Sequence, residues 1–273
     1  MKIYYINIDN RVDRKNFIVQ QSKLLDLELN RISAITPNKI NLGKIKEQYK
    51  VRIGPGELCC SLSHRFIWKK IVKSKESYAL ILEDDIVISK HLKSILNKIT
   101  SSKIAFKLLR IETRNESVRF GDVKFMLGER FKIRRTYNNA VGTAGYIISR
   151  DFCKTLLNNK NLFTKPLDHI LFYKNNFGDV QGQFLQIFPA LAIPYDDFYG
   201  GDFGNFNAKR IMSSSIGNIR YQDPTKRNEI KIYIKVIREI HKILLQFISF
   251  PKAIYNSITG KKSFFKHRIF FAE

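Results

Sequence analysis

Glu83, Asp84 and Asp85 close an unbroken apolar run that begins at Tyr78, and Ile86-Val87-Ile88 follows them. Three carboxylates this close repel one another and resist desolvation, so they favour a cation among them. An all-oxygen donor set selects a hard divalent ion, Mg²⁺ or Mn²⁺. The competing reading is a solvated turn or a helix cap. Ser89, just ahead of Lys90-His91-Leu92, is expected to supply the cap for the following helix, which leaves the acids unassigned. The run from Tyr78 to Leu82 reads as a strand buried on both faces. In open α/β sheets, ligands bind beyond the carboxyl ends of such strands.

The elements around this strand alternate. Lys2–Ile8 reads as the first strand. A polar turn leads from it into a helix with Phe17, Ile18, Leu24, Leu25 and Leu27 on its apolar side. Asn30–Ile35 is a second strand, and Thr36–Val51 a polar excursion without a clear period. Gly54-Pro55-Gly56 is loop punctuation before a helix over Glu57–Lys73, with Leu62, Phe66, Ile71 and Val72 as its apolar contacts. A helix over Ser89–Ile99 and a strand over Ile104–Ile111 come next. Val118–Thr136 is β-rich, with turns at Gly121 and Gly128. Gly145–Ser149 is a strand, Asp151–Asn158 and Leu167–Lys174 are helices, and Phe184–Phe188 is a late strand. Strands alternating with helices predict an α/β fold with a mainly parallel, Rossmann-like sheet flanked by helices.

The chain has 273 residues, 44% hydrophobic and 12% aromatic, which is enough apolar material for one α/β domain with an appendage. A disordered chain is excluded on that composition. The formal net charge of +24 attracts polyanions: nucleic acid, an anionic membrane face or a phosphorylated substrate. The N-terminus enters a strand directly, so no signal peptide is expected, and no segment approaches the ~20 apolar residues of a membrane span. Cys59, Cys60 and Cys153 have no metal-binding spacing and read as core-filling thiols in a reducing compartment.

Several segments together resemble glycosyltransferase family 25, the bacterial lipooligosaccharide galactosyl- and glucosyltransferases and their collagen-modifying relatives. They are Ile6 to Arg14, Gly56 to His64 with Trp68 to Val72, Ala79 to Asp85, Gly145 to Ser149, and Pro166 to His169. They occur in the family's order over roughly residues 1–200, and Cys60 stands where small residues are usual. The resemblance implies a GT-A-like fold and a metal-binding acidic motif. In that carry-over Asp85 is the metal ligand, for Mn²⁺ or Mg²⁺. Glu83 faces the ribose or base, and Asp84 assists metal or sugar. It also implies an inverting transfer of galactose or glucose from a UDP-sugar to a lipopolysaccharide or lipooligosaccharide core.

Further donor-site candidates lie in the first strand-to-helix turn, at the carboxyl edge of the sheet. Asn7 and Asp9 are expected at the base and ribose. Arg11 and Arg14 are expected either at the diphosphate or fixing the turn, with an Asp13–Arg14 ion pair as the local alternative. His64, one helical turn before Trp68, is either a donor-site residue or a satisfied core histidine. Inversion needs a base opposite the leaving group, and Asp168 is the candidate, with Asp196, Asp197 and Asp202 as rivals. His169, beside it, reads as structural.

A catalytic domain over residues 1–207 is expected to precede a basic, aromatic-rich extension over 208–273. There, Asn228–Phe247 has helical character with Lys231, Lys235, Arg238 and Lys242 around an apolar face. Phe250, Phe264, Phe265, Phe270 and Phe271 follow among lysines. Such a tail suits an anionic membrane surface, placing the protein in the cytoplasm against the inner face of the bacterial inner membrane. The alternative is that it packs back on the core. A non-catalytic polyanion- or nucleic-acid-binding protein on a transferase-like fold is the rival reading, but no nucleic-acid-binding motif is present and none is expected as a partner.

Overall fold

A computed structural model of the chain describes residues 1–102, 104–173, 184–199 and 267–273. In chain order the elements are β1 (Lys2–Asn7), α1 (Val12–Leu24), β2 (Leu29–Ser33), a 3₁₀ turn (Pro37–Lys39), α2 (Leu42–Gln48), α3 (Pro55–Lys73), β3 (Tyr78–Glu83) and β4 (Ile86–Ile88). There follow α4 (Leu92–Ser101), β5 (Leu108–Arg110), β6 (Ser117–Val118), β7 (Phe120–Met126), β8 (Lys132–Thr136) and β9 (Gly145–Ser149). The rest are α5 (Arg150–Leu157), α6 (Leu167–Phe172), β10 (Phe184–Phe188), β11 (Ala192–Pro194), α7 (Tyr195–Phe198) and β12 (His267–Arg268).

One sheet carries the order β2-β1-β3-β9-β5-β10-β8-β7. Strands β2, β1, β3, β5, β10 and β7 run one way, and β9 and β8 run against them. The expected mainly parallel α/β sheet is therefore present, with β9 inserted antiparallel between β3 and β5. Strand β3 explains its own apolar run. Leu80 and Leu82 pack with Ile18, Leu92, Ile95 and Leu96 on one face, while Ala79 and Ile81 pack with Leu58, Ile67, Trp68 and Phe152 on the other. A two-residue period splits the run between two cores, so no polar residue is tolerated on either side.

The helices follow their apolar stripes. Leu92, Ile95, Leu96 and Ile99 bury one side of α4, and Leu58, Ile67, Trp68 and Ile71 bury α3. Expectations differ in detail. Leu24 is exposed at the end of α1, whose buried residues are Arg14, Ile18 and Ser22, and Phe66 is half-exposed on α3. The excursion after β2 contains helix α2, capped by the Asn41 side chain on the Lys44 N–H. Ser89 is not the cap of α4: that place is taken by His91, and the Ser89 hydroxyl accepts from the His91 N–H in the turn before it. Gly128 makes a turn at φ 86°, but Gly121 lies within β7, under the Tyr137 ring.

Part of the expected extension packs back on the domain, in a separate two-stranded sheet. His267–Arg268 pairs with β6, Ile269 and Ala272 are buried, and Phe271 packs on Phe198 with ring centroids 5.4 Å apart. Phe270 is exposed. Asp202, the helical segment 228–247, and Phe250, Phe264 and Phe265 lie outside the described residues. No helix among the described residues is long and apolar enough to cross a membrane.

Candidate active site

The three acids leave β3 at the carboxyl edge of the sheet and meet three different environments. Glu83 accepts the Thr143 hydroxyl at 2.6 Å, and its Oε1 stands 3.7 Å from His64 Nε2, an ion-pair separation too long for a hydrogen bond. Burial alone would raise its pKa, but His64 and Thr143 outweigh that and hold it below the ordinary value. Asp84 is buried. It accepts from Asn7 Nδ2 at 2.7 Å and from Arg14 at 3.1 Å, while burial still pushes its carboxyl up. Asp85 pairs with Arg14 at 3.0 Å. Burial first, then the charges of Glu83 and Asp84, raise its pKa to about 7 against the pull of Arg14.

Arg14 is thus the fixed counter-ion of the acidic cluster. Its side chain is almost fully buried, and the two aspartates more than offset the burial that would lower its pKa. Arg14 joins the first strand-to-helix turn to the end of β3, and Asp13 pairs with Arg11 at 2.7 Å in place of a local pair with Arg14. Asn7 spends its side chain on Asp84, on the Arg11 carbonyl and on Arg31, which donates to its Oδ1 at 2.7 Å. Asp9 is half-exposed and accepts from Ser33, Arg31 and Lys39, which hold its carboxyl below the usual range.

Two cavities meet at the cluster. The larger, about 540 Å³, is lined by carboxylates from Glu57, Glu83, Asp85, Asp168, Asp196 and Asp197, and by Arg114. The smaller, about 140 Å³, has apolar walls from Ile6, Ile8, Ala34, Ile35 and Pro37 beside Arg14, His64 and Asp84. Cys60, Glu83 and Asp85 line both. Asn7, Asp9 and Arg11 line neither, so the structure brings together Arg14, His64, Glu83, Asp84, Asp85 and Asp168. Asp168, in the first turn of α6, accepts the Gly142 N–H at 3.1 Å and the His169 N–H at 2.9 Å. Asp196 and Asp197 enter the same cavity from α7, whose Tyr195 N–H bonds the Asp85 carbonyl at 2.8 Å.

Sequence reasoning missed several contributors. Arg114 reaches the larger cavity and pairs with Asp197 at 3.1 Å. Behind it, fully buried Arg110 contacts Glu112, Glu116, Gln186 and the Val141 carbonyl. Glu112 in turn accepts the Ala144 N–H at 3.0 Å, and burial raises its pKa to about 7. The charged run from Arg110 to Glu116 directly after a strand was the available signal. His64 Nδ1 bonds the Tyr146 hydroxyl at 2.7 Å, and Trp68 Nε1 donates to the same oxygen at 3.2 Å.

The donor chemistry of this cluster suits a hard divalent cation. Asp85 is a partly accessible carboxylate, crowded by two further carboxylates and compensated by one guanidinium, and could hold such an ion. The acids thus stand where an α/β sheet presents ligands, beyond the carboxyl end of a central strand. The sequence profile of glycosyltransferase family 25 (LPS biosynthesis protein) matches residues 1–171, and the chain belongs to that family. Lipooligosaccharide biosynthesis protein lic2B of Haemophilus influenzae is 23% identical over 275 residues, covering 97% of each chain. The lacto-N-neotetraose biosynthesis glycosyltransferase LgtE of Neisseria meningitidis is 25% identical over 196 residues, 68% of each. Human procollagen galactosyltransferase 2 is 23% identical over 188 residues, 62% of this chain and 29% of that one.

Proposed function

We propose that the protein transfers a hexose, galactose or glucose, from a UDP-sugar to a lipopolysaccharide or lipooligosaccharide core, with inversion at the anomeric carbon. The observation that carries this reading is Asp85: an under-compensated carboxylate on the wall shared by an apolar cleft and a larger polar cavity. The cleft suits a flat pyrimidine between Ile6, Ile8 and Pro37, and the larger volume suits the sugar and its acceptor. Asp85 would hold Mn²⁺ or Mg²⁺, whose charge offsets that building on the departing diphosphate. Arg14 keeps Asp84 and Asp85 in place through their ion pairs. Asp168, which accepts the Gly142 N–H and lines the larger cavity, would take the acceptor hydroxyl proton as base.

The lipooligosaccharide biosynthesis relative supports a glycolipid acceptor, and the net charge of +24 favours an anionic lipid surface, which we place at the cytoplasmic face of the inner membrane. The decisive experiment is thermal stabilisation by UDP-galactose and UDP-glucose with and without Mn²⁺, in the wild type and in Asp85→Asn. A ligand that binds only the native state raises its melting temperature. Mn²⁺-dependent stabilisation lost in the variant is expected. Sugar-nucleotide binding indifferent to both Mn²⁺ and the substitution would overturn the proposal.

A further inference from the structure

We propose that Cys60, His64 and Glu83 form a separate cation site, selective for a borderline ion such as Zn²⁺ over the hard ion assigned to Asp85. Cys60 and His64 are one helical turn apart on α3 and so share a face, which α3 turns toward the end of β3. Their ligand atoms and a Glu83 oxygen lie within 4.8 Å of one another, a set of donors found in no other trio among the described residues. Zinc bonds of 2.0–2.3 Å in a tetrahedral site imply ligand edges of roughly 3.5 Å. The His64 Nε2 to Glu83 distance of 3.7 Å already has that length.

An independent observation points to a ligand. His64 is fully buried, and its Nε2 has no hydrogen-bond partner although it faces the trio. Its other nitrogen is engaged by the Tyr146 hydroxyl, the outer-shell bond that orients a metal-ligating imidazole. The Thr143 hydroxyl donates to Glu83 Oε1 and fixes that oxygen beside His64. A thiol, an imidazole and a carboxylate suit Zn²⁺ or Co²⁺, whereas Mg²⁺ and Mn²⁺ favour oxygen alone. As the Sγ–metal bond forms, the thiol gives its proton to solvent. Because Cys60 and Glu83 line both cavities, the fourth position opens toward them. If the transferase reading holds, zinc there withdraws Glu83 from the donor site and inhibits.

The test is a titration of the reduced, metal-free protein with Co²⁺, a spectroscopic stand-in for Zn²⁺. One equivalent should produce a thiolate-to-cobalt charge-transfer band that Zn²⁺ displaces. Cys60→Ser should lose the band with unchanged circular dichroism, while Cys59→Ser and Asp85→Asn keep it. Tyr146→Phe should weaken cobalt affinity about 10–100-fold. A wild-type protein without the band, or a band that survives Cys60→Ser, overturns the assignment. The titration reads coordination and not transfer, so its failure leaves the Asp85 reading standing, and failure of Mn²⁺-dependent donor binding leaves this one standing.

Discussion

Asp85→Asn should stabilise the metal-free protein at neutral pH while abolishing cation-dependent donor binding. Burial holds the Asp85 carboxyl at about 7 against an ordinary 3.8. The unfolded chain releases this proton near the ordinary value, and the folded chain keeps it to about 7. Between the two, the unfolded state binds fewer protons, so stability falls by about 1.4 kcal/mol per pH unit. The penalty is absent below the ordinary value and complete above about 7, where roughly three units amount to about 4 kcal/mol. Asparagine escapes it but leaves Arg14 with Asp84 as its remaining ion-pair partner, at 3.1 Å. The attraction of Arg14 is already contained in the raised pKa, so losing that contact is no further cost and the gain is of the order of the penalty itself. Urea unfolding with chelator present, from about pH 4.5 to about pH 8, reads the difference. The wild type should weaken across that range and the variant less steeply. Its curve should not become level, because Glu112, also raised to about 7 by burial, contributes a parallel slope. A variant less stable than wild type at the alkaline end, or one with the wild-type slope, would refute the reasoning.

Asp168→Asn should lower kcat by about 10²–10⁴-fold with donor KM nearly unchanged if the residue is the base. Steady-state kinetics showing equal losses in kcat and donor affinity would assign it to positioning through Gly142. Arg110→Met removes the cation from a fully buried network with Glu112 and Glu116 and should cost about 3–5 kcal/mol. A urea midpoint within error of wild type would contradict that. Deleting residues 267–273 removes buried Ile269 and Ala272 and the strand on β6, with about 2–4 kcal/mol lost. Calorimetry reads it, and an unchanged melting temperature would show that the C-terminal residues contribute nothing to the core.

What was legible in the sequence was local. The apolar run of β3 and the acids at its end announce themselves because strand and cluster are contiguous, and the packing of both faces of β3 confirms why no polar residue interrupts it. The strand positions from Lys2 to Phe188 follow the same logic. Strand direction does not: β9 reads as one more strand of the sheet, and its antiparallel placement depends on the path from residue 111 to 145, which no periodicity encodes. Counter-ions were equally hidden. Arg14 lies 70 residues from Asp84 in sequence, so its place in the first turn was legible but its pairing with the acids was not. Leu24 looks like core but falls beyond the stripe that Ile18 and Ser22 define. Arg114, Thr143 and Tyr146 reach the site only through the sheet's register.

Three adjacent acids with three different partners resolve the electrostatic problem that their spacing poses. Glu83 is drawn below its ordinary pKa by His64 and Thr143, from α3 and the loop before β9. Asp84 is committed inward, to Asn7 of β1 and Arg14 of α1, and so ties the first strand-to-helix turn to the end of β3. Arg14 has only one guanidinium to divide, and its two aspartate contacts are of nearly equal length, 3.1 and 3.0 Å. Asp85 is the more exposed of the pair, faces both cavities and has its carboxyl pushed up to about 7 by burial and its acidic neighbours. A second cation beside Asp85 would therefore relieve repulsion without breaking any contact that holds the turn together, whereas one beside Asp84 would have to displace Asn7 and Arg14. One carboxylate of the cluster thus fixes the scaffold, while its neighbour keeps the weaker commitment to the protein.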